Sequence, residues 1–215
     1  MTPLRLSTVL AHAGVIFAAV GLYGLLHSAL ASHRVKAGVR RRWPRAARWY
    51  RLAYNVVFTL LLLPLLAVPG MLPDRVLYVL RPPLIYAAGG MALVGLALAV
   101  DATLRTDLGA FLGLKEEPPA TAQSLVARGA YRWMRHPMYT GSLLMLWALP
   151  VMTLNSALFY AALTLYIVVG ARWEERKLLT EYGEAYAKYR QQVPMLFPWP
   201  RRGRRFPSSP RRKSP

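Results

Sequence analysis

No cysteine occurs in the 215 residues, and only nine are acidic. The first absence excludes disulfide frameworks, thiolate metal sites and catalytic thiols. Charged residues of both signs make up 17%, against about 25% in soluble domains. The 55% hydrophobic content excludes intrinsic disorder, which needs low hydrophobicity. No HExxH, P-loop or GxGxxG pattern is present, so metalloprotease, P-loop and Rossmann chemistry lack support and no metal site is expected. The 28 Lys and Arg residues set a formal charge of +19. Taken alone, that charge points to nucleic acid. No recognition motif accompanies it, and no nucleic-acid partner is expected.

The placement of charge explains its excess. Leu6 to Ser32, Leu52 to Pro73, Pro82 to Val100 and Met138 to Ala171 carry no Asp, Glu, Lys or Arg. A helix needs about 20 apolar residues to cross a ~30 Å hydrocarbon core. The first three runs each predict one span. The fourth has 34 residues, about 51 Å as a helix, and holds Pro150 and Asn155-Ser156, which are turn formers. It predicts a hairpin with its tip near residues 150–156. The expectation is an all-α integral membrane protein of about five transmembrane helices, with a C-terminal helical hairpin and cytoplasmic amphipathic helices. Segments alternating along the chain hold 25 basic residues on one side and three on the other. The positive-inside rule puts the 25 in the cytoplasm, with the N-terminus outside and the C-terminus inside. The excess is an orientation signal and a contact for anionic lipids.

Three regions follow: a three-span part over 1–100, a part over 101–199 holding eight of the nine acidic residues, and a basic tail over 200–215 rich in Arg, Pro and Ser. The tail's composition predicts flexibility and attraction to the membrane surface. The hairpin would bring Arg135-His136-Pro137-Met138-Tyr139 beside Arg172-Trp173-Glu174-Glu175 at the membrane edge. Such a cluster can bind a charged head while the helices hold an apolar tail. Each part also has a plainer reading. Arg135 and Arg172 can be snorkelling anchors, and His136-Pro137 can simply start a helix. Glu174 and Lys177 stand three apart as a helix-surface pair. Tyr182, Tyr186 and Tyr189 form a packing stripe. His12 and His27 lie inside the first run, where an ionisable group is a functional hypothesis or a hydrogen bond between helices.

The segment Gly129-Ala130-Tyr131-Arg132-Trp133-Met134-Arg135-His136-Pro137-Met138-Tyr139-Thr140-Gly141 resembles the "G-x-Y-x-x-x-R-H-P-x-Y-x-G" signature of the isoprenylcysteine carboxyl methyltransferase and phospholipid methyltransferase superfamily. Glu174-Glu175-x-x-Leu178, Tyr182-Gly183-Glu184-x-Tyr186-x-x-Tyr189, Val193-Pro194 and Pro198 resemble its C-terminal ending. The resemblance covers about residues 120–199. His27-Ser28 and the stretch Asp107 to Lys115 resemble a bacterial branch that includes the methanethiol S-methyltransferases and NnrU-like proteins.

The resemblance implies methyl transfer from S-adenosylmethionine, through a cofactor pocket on the cytoplasmic side of a bacterial inner membrane. It maps cofactor contacts onto Ser124, Leu125, Val126, Tyr131, His136, Pro137, Met138, Tyr139 and Glu174. Glu174 would hold the cofactor's amino group or a ribose hydroxyl, and His136 its carboxylate. Tyrosine faces would contact the sulfonium. Arg172 would orient the acceptor and, with Glu174, forms the expected catalytic pair. In the eukaryotic prenylcysteine enzymes an arginine stands four residues before the cofactor glutamate. Gly170 occupies that position here, which puts a small thiol or another neutral, lipophilic acceptor on a level with a prenylcysteine carboxylate. Two rivals share parts of the pattern: membrane sterol reductases, which use NADPH, and NnrU-like accessory proteins without enzymatic activity.

Overall fold

The computed structural model describes residues 5–106, 108–115 and 125–198. The expected tail over 200–215 and the expected cofactor residue Ser124 lie outside the described residues. The helices are α1 (Leu6–Ala31), α2 (His33–Arg42), α3 (Pro44–Ala47), α4 (Tyr50–Ala67), α5 (Leu84–Leu104), α6 (Leu108–Leu112), α7 (Pro137–Trp147) and α8 (Leu154–Gln192). The protein is an α-helical membrane protein. Among the described residues four helices are long and apolar enough to cross a bilayer: α1, α4 with its continuation to Met71, α5 and α8, with mean hydropathies of 1.7 to 2.0. Their outer faces carry Leu22, Leu25, Leu60, Leu63, Leu93 and Leu165, all exposed. An apolar surface this extensive is stable in lipid and not in water.

The long apolar run divides where expected. The first arm, α7, has 11 residues, about 16 Å of helix, which is shorter than a full crossing. The second arm is the N-terminal part of α8. Pro137 occupies the first helical position of α7, where its missing N–H has no intrahelical role. Between the arms Val151–Thr153 forms a short strand, β2, antiparallel to β1 (Val76–Val79). This small sheet, absent from the sequence reading, is closed by Leu80 N–H donating to the Pro150 carbonyl at 2.8 Å.

The described chain forms two compact units, interleaved in sequence. The first comprises, among the described residues, 5–88, 108–115 and 149–169. Its core packs Ile16 and Val20 of α1 against Leu65 of α4 and Phe159 and Ala162 of α8. Polar pins supplement this apolar contact. Asn155 is fully buried. Its amide donates to the carbonyls of Pro69, Leu72 and Pro73, and its oxygen lies 3.2 Å from His12 Nδ1. Asp74 accepts the Asn155 backbone N–H at 3.0 Å, satisfying one of the amides left open at a helix start. His27 Nδ1 lies 2.9 Å from the Tyr166 hydroxyl. Both intramembrane histidines are thus bonded between helices, and each such bond contributes about 0.6 kcal/mol in a bilayer. The basic segment after α1 is helical as α2 and α3, with Trp43 and Trp49 exposed.

The second unit comprises, among the described residues, 89–106, 125–148 and 170–198. Here α5 and α7 approach closely through glycine. A methyl group added at Gly95 would lie 2.6 Å from the Gly141 carbonyl oxygen. Gly141 is the last residue of the motif beginning at Gly129, and this contact is a physical reason for it: any side chain would push the helices apart. Within α8, Gly183 has φ 52° and ψ −127°, a conformation open to glycine and strained for other residues. The helix breaks there, and its last arm carries Tyr186 and Tyr189.

Candidate active site

The site is built in the second unit from the start of α7, the middle of α8 and the segment after α8. Arg135 and His136 directly precede α7, outside any regular element. Their backbone amides donate to the carbonyls of Pro194 and Met195, at 2.9 and 3.1 Å. The Thr140 hydroxyl lies 2.8 Å from the Leu196 carbonyl, to which it donates. The Arg135 guanidinium donates to the carbonyls of Arg190, at 3.0 Å, and Val193. The chain after α8 is thereby strapped onto the Arg-His-Pro motif.

Arg135 is not a snorkelling anchor. Its side chain is 9% exposed and its Nε lies 2.5 Å from Glu175 Oε1. Desolvating two charges is costly, and only a well-formed pair with further hydrogen bonds offsets it. The carbonyl bonds of Arg135 supply those. Glu175 Oε1 also lies 3.4 Å from His136 Nε2. Glu174, its neighbour in sequence, points elsewhere. It is 43% exposed, accepts from the Tyr139 hydroxyl at 2.7 Å and lies 3.8 Å from His136 Nδ1. The expected Glu174–Lys177 pair does not form; Lys177 instead pairs with Glu181, four residues on along the helix surface, at 3.7 Å.

Burial lowers the pKa of His136, with Glu174 and Glu175 pulling the other way. The imidazole is neutral at pH 7. Both ring nitrogens face a carboxylate, which can only accept, and Nε2 at 3.4 Å from Glu175 is the one within hydrogen-bond reach, so it is placed to carry the proton. Nδ1 then presents a lone pair beside Glu174. A histidine held below its unfolded value of 6.5 takes up a proton more readily when unfolded. Its contribution to stability is therefore complete above that value and lost as pH falls below it towards the folded pKa. Thermal unfolding followed from pH 7.5 to 5 should show a fall that His136→Gln flattens.

His136 and Tyr139 stack with ring centroids 5.3 Å apart and planes 11° from parallel. Tyr131 sits in the short 3-10 turn Gly129–Arg132. Burial raises its phenol pKa, and its carbonyl accepts from Tyr189 at 2.6 Å. Leu125 packs against Tyr186, Tyr189 and Val193. Val126 is half-buried, Pro137 is buried and Met138 is half-buried. Arg172 is exposed and, among the described residues, forms no ion pair. The structure thus gathers His136, Tyr139 and Glu174 at one place and adds Arg135 and Glu175 to them.

Asp101 near the end of α5 is a second addition. It accepts from Arg105 through both oxygens, at 2.6 to 2.9 Å, and from the Ala130 N–H at 2.9 Å. It fixes the turn that presents Tyr131. Asp101→Asn should loosen that turn and destabilise it by about 1–2 kcal/mol, read as faster hydrogen exchange at residues 129–132. Beside this turn lies a shallow, open cavity of about 440 Å³, lined by Val94, Ala97, Leu98, Asp101, Arg132 and Trp133.

A family model described as phospholipid methyltransferase matches residues 85–185. A methanethiol S-methyltransferase of Mycobacterium tuberculosis is 32% identical over 200 residues, covering 85% of this chain and 77% of that protein. The chain belongs to the methanethiol S-methyltransferase family of membrane methyltransferases. Shorter matches concentrate the identity. Methanethiol S-methyltransferase 1 of Bradyrhizobium diazoefficiens is 42% identical over 90 residues, 42% of this chain and 30% of that protein. The Crocosphaera subtropica methanethiol S-methyltransferase is 39% identical over 84 residues, 39% of this chain and 33% of that protein. No solved structure matches the chain significantly. The family-model match contains the Arg-His-Pro motif, Glu174, Glu175 and Asp101, so this methyltransferase keeps its polar cluster within the part common to the wider superfamily.

Proposed function

We propose that this methyltransferase moves a methyl group from S-adenosylmethionine to a small thiol such as methanethiol, at the cytoplasmic face of a bacterial inner membrane. The observation that carries the reading is the half-exposed Glu174 carboxylate, held by Tyr139 beside the neutral His136. S-Adenosylmethionine supplies an electrophilic methyl on a sulfonium, together with an ammonium, a carboxylate and a nucleoside. The residues fit such a group. Glu174 accepts from an ammonium or a ribose hydroxyl. His136 Nδ1, as an acceptor beside Glu174, suits the ammonium better than the carboxylate suggested by the resemblance. The stacked rings of His136 and Tyr139 can shield a sulfonium from water.

Direct methyl transfer to a thiol needs no enzyme nucleophile, in keeping with the absence of cysteine. The protein's task is alignment and exclusion of water. Gly170 in place of an acceptor-carboxylate arginine favours an uncharged acceptor. The apolar wall of the cavity beside the 129–132 turn supports a second acceptor class, a more lipophilic thiol. Arg172 is proposed to orient the acceptor. Ser124, Leu125 and Val126 are proposed to meet the cofactor through backbone.

Titration of S-adenosylhomocysteine into the detergent-purified protein tests the donor, and release of dimethyl sulfide from methanethiol tests the acceptor. Absence of both from folded protein in nanodiscs would overturn the proposal. The proposed orientation rests on the 25-to-three division of basic residues. A reporter active only outside the cytoplasm should work when fused after residue 78 and stay silent after residue 205. The reverse pattern would invert the topology.

A further inference from the structure

Tyr186 and Tyr189 lie on the last arm of α8, and both are buried, with exposures of 1% and 5%. Their hydroxyls differ. Tyr189 donates to the Tyr131 carbonyl. The Tyr186 hydroxyl is closed off from solvent and makes no well-formed hydrogen bond among the described residues; the Arg135 guanidinium beside it can only donate, so the phenol proton meets no acceptor. A buried hydroxyl without a partner is destabilising, and native structures hold few of them. Retaining a tyrosine there, where phenylalanine would fill the same space, points to a partner that arrives from outside the chain.

The surroundings define the chemistry of that partner. Glu175, Arg135 and Glu174 are the charged groups whose fields reach the hydroxyl. Glu175 is bound to Arg135 and approached by His136. Glu174 is half-exposed and turned towards Tyr139. A phenol donor and a guanidinium, with the half-exposed Glu174 carboxylate within reach of their fields, suit a zwitterion. We propose that the Tyr186 hydroxyl donates a hydrogen bond to the carboxylate of the amino-acid end of the methyl donor, whose ammonium is held by Glu174. This inference rests on the S-adenosylmethionine reading above. It adds a residue just beyond the family-model match, which ends at residue 185. The hydroxyl finds its partner only when the donor binds, so its effect is confined to the liganded protein.

The test uses the full chain in nanodiscs and two ligands. S-Adenosylhomocysteine carries the amino-acid end, whereas 5′-methylthioadenosine keeps the nucleoside and sulfur without it. Tyr186→Phe should weaken S-adenosylhomocysteine about tenfold and leave 5′-methylthioadenosine unchanged. The ligand-free variant should unfold at the wild-type temperature or above, because an unsatisfied hydroxyl has been removed. Tyr189→Phe, which loses a formed hydrogen bond, should unfold lower. An affinity of Tyr186→Phe for S-adenosylhomocysteine within twofold of wild type would overturn the inference, as would equal weakening of both ligands. A wild-type protein that binds neither ligand would overturn the cofactor reading itself, and this inference with it.

Discussion

Glutamine in place of Glu174 is expected to weaken S-adenosylhomocysteine by roughly 10- to 100-fold while leaving the fold intact. The side chain is 43% exposed and its protein partner is the Tyr139 hydroxyl, which glutamine can still meet through its carbonyl oxygen. Folding therefore loses little. The ligand loses a charge-assisted hydrogen bond, worth about 1.5–3 kcal/mol, and every 1.4 kcal/mol is a factor of ten. Calorimetric titration gives the affinity, and thermal unfolding of the ligand-free variant gives the stability. Glu175→Gln supplies the contrast, since that carboxylate is buried against Arg135. It should lower the unfolding temperature far more than Glu174→Gln does. Unchanged affinity in folded Glu174→Gln would remove this residue from the donor site.

Arg135→Ala is expected to be the most destabilising single change in the site, by about 3–5 kcal/mol. It strands the Glu175 carboxylate in a buried position and removes the side-chain bonds to Arg190 and Val193. For a chain of this size the unfolding temperature should fall by about 10 °C. Two further variants separate the causes. Arg135→Lys keeps the charge and loses the fork that reaches several acceptors, and should lie between wild type and alanine. Arg135→Leu with Glu175→Leu removes both charges and should recover much of the alanine loss, as buried pairs replaced by apolar side chains often do. An Arg135→Ala protein with wild-type unfolding would show that the pair carries little of the fold.

The long helices were legible because length and absence of charge are read directly. The charge-free runs beginning at Leu6, Leu52 and Pro82 correspond to α1, α4 and α5, with ends displaced by a few residues. The hairpin was legible from Pro150 and Asn155, although Asn155 lies in the first turn of α8 and its amide locks three carbonyls. The 11-residue length of α7 was not legible, because Trp147-Ala148-Leu149 is as apolar as the helix before it. The β1–β2 pair joins segments 75 residues apart, and no local pattern announces it. At the site, the motif indicated His136, Tyr139 and Glu174. It could not tell which of two adjacent glutamates turns inward. Successive helical side chains diverge by about 100°, and only the position of Arg135 decides. Asp101 was missed because its pairing with Arg105 reads as ordinary i,i+4 helix support, and the contact that reaches the 129–132 turn is to a backbone N–H, which every residue but proline carries. Tyr186 read as packing, and only its unmatched hydroxyl distinguishes it from Tyr189.

The strap after α8 gives this protein an uneven tolerance to sequence drift. What Arg135, His136 and Thr140 recognise there is a series of main-chain oxygens, from Val193, Pro194, Met195 and Leu196. Main-chain oxygens are the same whatever side chain is attached. Point changes at 194–196 that keep the path of the backbone should accordingly be absorbed, even though the segment is bonded directly to the Arg-His-Pro motif. A single inserted or deleted residue between Tyr189 and Leu196 is a different event. It would slide every oxygen past its donor at once, leaving two amides, a hydroxyl and a guanidinium to find new partners together. Diversity generated in this stretch should therefore survive as substitutions and be purged as changes of length, a bias that deep mutational scanning with both classes of variant would reveal.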